Sequence, residues 1–194
     1  DSKDRGSPQT LADGMKYFII FTLLAYLAVV FYMPVLKYFV GKDYWEGLGV
    51  VPIVMLAEIL MGIYFNLSFW YKLTDKTWWG ALISAIGAAV MIAFNIIFVP
   101  RMGYWACAWG GLVGYGTAMM LSFLIGRKKF PVKYDYKSIG SCAIMAAVLY
   151  LASQIPSFMG LSLPTWLTLC LNTVLLAIYC LPLGMKFIKS RRRI

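Results

Sequence analysis

"VVPIVMLAEILMGIYFNLSFWYKLTDKT", residues 50–77, carries a single charge, Glu58, between Val50 and Tyr71, and then meets two lysines flanking an aspartate. The hydrocarbon core of a bilayer takes roughly 20 mostly apolar residues of helix, and Val50 to Tyr71 has that length. The stretch lacks the period-two alternation over about 10 residues that marks a membrane barrel strand. A helix satisfies every backbone N–H and C=O within its own segment, which lipid demands. The stretch therefore reads as a transmembrane helix whose exit is the charged loop after Tyr71.

Working outward, five more stretches have the same character. The six run approximately 16–39, 48–71, 78–99, 103–125, 139–158 and 165–187, and each is bounded by charge, Gly or Pro. Apolar residues make up 61% of the chain and charged residues 13%, where a soluble domain is about half apolar and a quarter charged. The expected fold is an all-α polytopic membrane protein of six transmembrane helices in three hairpins. Residues 1–15 read as a truncated cytoplasmic loop, 16–125 as four transmembrane helices, 126–138 as a basic loop, 139–187 as two further helices and 188–194 as a basic tail.

A net charge of +10 first raises nucleic acid as a partner, but the cations sort by loop. Of the 18 Lys and Arg, only Lys37, Lys42 and Arg101 fall on one side of the predicted topology. All others fall on the side that holds both termini, which the positive-inside rule places in the cytoplasm. Nucleic acid is not the expected partner; membrane lipid is. The chain has no histidine, so the commonest general base and metal ligand is missing. Cys107, Cys142, Cys170 and Cys180 lie inside apolar spans without a CxxC, and read as small buried hydrophobes. No phosphate loop, zinc motif or nucleophile triad is present. Neither an enzyme, a cofactor nor a metal site is expected.

Glu58 is the strongest anomaly. A carboxylate at mid-span costs about 2.5–3.5 kcal/mol on insertion scales. Glu58, Gly62 and Asn66 follow one another at intervals of four, which keeps them on one drifting helix face. Ser84 and Asn95 in the third span, and Asn172 in the sixth, offer further polar groups. Two readings stay open: a protonated carboxyl hydrogen-bonded to a neighbouring helix, or a group that binds and releases a proton or cation as a cavity opens to each side. Pro52 and Gly62 are expected to let this helix bend.

Other features have plainer readings. Ala106, Gly110, Gly114 and Ala118 recur every four residues in the fourth span. With the small residues of the third span, Gly87 among them, they predict close backbone approach, and such smooth faces also suit sliding. Aromatics at span ends (Trp45, Trp70, Tyr71, Trp78, Trp79, Tyr104, Trp105) read as interfacial belts. Arg127, Lys128, Lys129 and Lys133 are candidate contacts for anionic lipid.

Three stretches carry a family resemblance: "YWEGLGVVPIVMLAEILMGIYFNLSFWYKLTDKT" (44–77), "GALISAIGAAVMIAFNIIFVPRMGYWACAW" (80–109) and "RKKFPVKYDY" (127–136). They resemble the C-terminal half of bacterial polysaccharide flippases, the O-antigen or capsule-type members of the multidrug/oligosaccharidyl-lipid/polysaccharide exporter superfamily. Residues 14–137 carry the likeness; the last two spans match only in being hydrophobic. The resemblance implies a fragment of a two-lobe transporter of 12–14 helices, with a missing N-terminal lobe of the same protein as its partner. It also implies a function: flipping undecaprenyl-pyrophosphate-linked oligosaccharide across the bacterial inner membrane by alternating access. The chain departs from the expected cationic cavity, having no Lys or Arg at mid-membrane depth. Two alternatives remain: an ion-coupled drug/cation antiporter of the same superfamily, and a non-transporting scaffold of a polysaccharide assembly complex.

Overall fold

The computed structural model describes residues 8–129, 132, 134–158 and 164–191, with side chains over 9–129, 132, 134–156 and 164–181. Lys3, Arg5, Lys133, Arg192 and Arg193 lie outside the described residues. Among the described residues there are helices, turns and 3-10 segments and no strand.

Helix α1 spans Pro8–Phe31, so the expected loop at 1–15 is helical from Pro8. Proline is tolerated in a first turn because the N–H it lacks has no intrahelical partner there. The far end of the expected span, 32–39, is not a continuation of α1. Pro34 offers no N–H, and the N–H groups of Val35 and Leu36 both turn to the Tyr32 carbonyl, each at 2.9 Å. A single turn, α2 (Met33–Leu36), and a 3-10 turn (Lys37–Phe39) follow.

Helix α3, Val51–Leu67, holds Pro52 in its first turn. That proline starts the helix and does not bend it. The break comes later, at Ser68, whose hydroxyl donates to the Phe65 carbonyl at 2.6 Å, before α4 (Phe69–Leu73) completes the passage. The turn after it uses Asp75 at φ +54°, a left-handed position that aspartate tolerates better than most residues. Helices α5 (Trp78–Met102) and α6 (Tyr104–Lys129) are joined by Gly103 alone. Its φ of +57° and ψ of −137° are open only to glycine. The turn expected at 99–103 thus shrinks to one residue, with Pro100 inside α5. Helices α7 (Tyr136–Phe158) and α8 (Thr165–Arg191) complete the chain.

Five of these passages are long and apolar enough to cross a membrane: Gln9–Phe31, Glu46–Leu73, Trp78–Met102, Tyr104–Lys129 and Tyr136–Pro156. The sixth expected span is shorter in its described apolar part, Thr165–Leu181. Large apolar side chains such as Phe21, Ile96, Ile144 and Leu181 stand exposed, while the buried positions of α6 are all Gly, Ala or Ser. A water-soluble fold has the reverse arrangement. The protein is an all-α, multi-pass membrane protein.

The chain divides into two compact units. Unit 1 holds the described residues of 8–19 and 46–135, and α6 is the element on which both α3 and α5 pack. A Cβ on Gly87 would lie 3.1 Å from the Gly114 carbonyl oxygen, and one on Gly114 would lie 2.7 Å from the Met91 Cβ. The backbones of α5 and α6 therefore touch, and dispersion between them supplies the attraction that lipid cannot. One turn along the same stripe of α6, Tyr64 of α3, Ile83 of α5 and Ala118 of α6 form a buried cluster.

Unit 2 holds Ile20–Trp45 and the described residues of 136–191. Its buried side chains include Leu27, Phe31 and Tyr179, together with Cys142, Ala146 and Leu149 at helical spacing along α7. Asn172 of α8 donates its amide to the Phe31 carbonyl at 2.9 Å. That carbonyl is one of those freed where α1 breaks. Beside it, the Tyr32 and Thr173 hydroxyls lie 2.8 Å apart.

Candidate functional site

Helix α3 presents a packed side and an open side. Ala57, Tyr64 and Leu67 are buried along one strip, and Ala57 and Leu60 lie against the positions of Gly111 and Gly116 of α6. Glu58 stands a full 100° around the helix from Ala57, is exposed, and makes no hydrogen bond or ion pair with a described residue. It points away from the α3–α6 seam.

The face drawn through Glu58, Gly62 and Asn66 is not one open surface. Gly62 is covered by the Phe18 ring of α1, and a Cβ at that position would collide with it. Asn66 is half-buried, and its amide donates to the Gly62 carbonyl of its own helix at 3.0 Å.

Ser84 joins a different set. Its hydroxyl lies 2.7 Å from the Tyr64 hydroxyl, which donates to the Gly80 carbonyl at 3.3 Å and accepts from Tyr71 at 3.3 Å. This cluster ties α3 and α4 to the start of α5. Asn95 sits farther along α5, against Gly110 of α6, with its side-chain oxygen buried and unpartnered. The candidate residues Glu58, Asn66, Ser84 and Asn95 are thus not gathered around one cavity within unit 1. The polar cluster that does form centres on Tyr64 and Tyr71. Their seven-residue spacing, two turns of one helix face, was the available signal.

At the basic end of unit 1, Arg127, Lys128 and Lys129 occupy the last turn of α6 and are exposed. The Lys129 ammonium lies 4.2 Å from the centroid of the Trp79 ring, a cation–π distance. Trp79 stacks on Trp78 with centroids 4.3 Å apart and reaches Trp70 at 6.4 Å. Trp70 in turn covers Gly126, where a Cβ would lie 2.9 Å from its ring. Trp79, Leu124, Ile125, Lys128 and Lys129 line a recess of about 370 Å³. Lys16 of α1 pairs with Asp135 at 2.9 Å. Lys133, the fourth expected lipid contact, lies outside the described residues.

Among the described residues no three His, Cys, Asp or Glu side chains come together as a metal-binding group. Comparison with protein-family models, with curated proteins and with solved structures finds no match to this chain.

Proposed function

We propose that this chain is part of a lipid-linked oligosaccharide flippase, which carries undecaprenyl-pyrophosphate-linked sugar repeats across the bacterial inner membrane by alternating access. The single observation that carries the reading is Glu58, a carboxylate midway along a membrane-length helix and exposed on the side turned away from α6. An ionisable group at that depth is costly in lipid and is retained where protein or water covers it. A second transporter lobe with a water-filled cavity supplies such a cover. The resemblance of residues 44–77, 80–109 and 127–136 to polysaccharide flippases supports the same reading. The glycine contacts between α5 and α6 fit helices that shift against each other. In this reading the basic end of unit 1 faces the cytoplasm.

The test is genetic. Deletion of the gene encoding this chain, in a strain with no second flippase, abolishes surface polysaccharide and accumulates lipid-linked repeat units on the cytoplasmic leaflet. Normal polymer in that strain overturns the reading. The alternative is a cation-coupled drug antiporter, in which Glu58 holds the ion. That alternative gains if the deletion leaves polymer intact but sensitises cells to amphiphilic cations.

A further inference from the structure

We propose that the recess between the start of α5 and the end of α6 binds the phosphate headgroup of an anionic glycerophospholipid from the surrounding bilayer. The proposal is independent of what the protein transports.

The lining is graded along α6. Leu124 and Ile125 lie one helical turn below Lys128 and Lys129, so the wall changes from apolar to cationic over about 5.4 Å. A phospholipid changes in the same direction over a similar distance, from acyl chain to phosphate. Leu124 is exposed, which leaves the apolar step open to a lipid chain. The opposite wall is Trp79, fixed by its contacts with Trp78 and Trp70 at the level where indole rings favour the membrane interface.

Lys128 and Lys129, the cations of the recess, make no ion pair with a described residue. The helix dipole explains why cations gather at the C-terminus of α6. It does not account for the Trp79 ring of α5 lining the same recess. With the Lys129 ammonium over the Trp79 face, the neighbouring Lys128 is free to meet a phosphate oxygen.

The test uses the full chain in detergent, offered equal amounts of phosphatidylglycerol and phosphatidylcholine, with retained lipid read by native mass spectrometry. The wild type is expected to retain phosphatidylglycerol preferentially. Lys128→Gln with Lys129→Gln reduces that preference by roughly thirtyfold, the attraction of two basic residues to an anionic surface. Lys128→Arg with Lys129→Arg keeps it. Lys72→Gln with Lys76→Gln removes the same charge at the end of α4 and in the turn after it, outside the recess, and also keeps it. Circular dichroism and size exclusion confirm that the variants fold. No preference in the wild type, or equal loss in both glutamine pairs, overturns the proposal. Displacement of the lipid by millimolar inorganic phosphate overturns the lipid assignment in favour of free phosphate.

Discussion

Two glycines three residues apart on α6 show how finely position decides a residue's role. A Cβ on Gly114 would sit 2.7 Å from the Met91 Cβ and 2.9 Å from the Gly87 carbonyl oxygen, whereas one on Gly111 would meet Ala57 at an ordinary 3.8 Å. Gly114→Ala is therefore expected to destabilise the detergent-solubilised protein by about 1–3 kcal/mol through overpacking. Gly111→Ala should be neutral or stabilising by up to about 1 kcal/mol, since alanine is the better helix former. Thermal unfolding of the two variants checks this, and equal melting temperatures would contradict the α5–α6 seam. Glu58 is the other residue whose surroundings matter most. With no partner among the described residues, Glu58→Gln is expected to leave expression and melting temperature unchanged and, under the proposed flippase function, to impair transport at least tenfold, the loss of about 1.4 kcal/mol or more. Full transport in that variant rules out an essential protonation there.

Among the elements, α1 carries the clearest internal conflict and its own remedy. Pro34 interrupts the helix and frees carbonyls that lipid cannot solvate; Asn172 of α8 answers one of them, on Phe31. Loss of that hydrogen bond in Asn172→Leu is expected to cost about 0.6–1.7 kcal/mol. In a Pro34→Ala background, Val35 can donate to Phe31 and α1 runs on, so the same substitution should cost much less. A double-mutant cycle on thermal stability measures the difference. Purely additive effects would show that Asn172 acts elsewhere. The break between α3 and α4 works by a similar substitution of partners, with the Ser68 hydroxyl serving the Phe65 carbonyl.

For the whole molecule the governing quantity is the sidedness of charge. Helix α5 spans 25 residues, about 37 Å of helix against a hydrocarbon core of about 30 Å, so its ends belong on opposite faces. In a background lacking Cys107, Cys142, Cys170 and Cys180, cysteines replacing Lys76 and Arg101 should label from opposite sides with an impermeant maleimide. The Lys76 position is expected to label from the cytoplasm, because the basic loops gather on that side. Labelling of both from one side would overturn the membrane passage of α5.

The sequence by itself determined that the chain is helical and crosses a membrane, because hydropathy accumulates over a window of residues whatever their neighbours are. It also determined where helices approach closely: Gly110, Gly114 and Ala118 were legible as a packing stripe before any partner was known. Helix limits were less legible. Pro8 and Pro52 sit in first turns, where the N–H they lack has no intrahelical partner, while Pro100 lies inside α5 close to its end. The candidate site was legible as a set of polar residues and not as a place. Glu58, Asn66, Ser84 and Asn95 differ little as sequence, yet one faces outward, one bonds its own helix, one joins Tyr64 and one is buried against Gly110. Only the tertiary structure decided among these fates, because a side chain's partner lies on another helix and no local pattern records which helix that is.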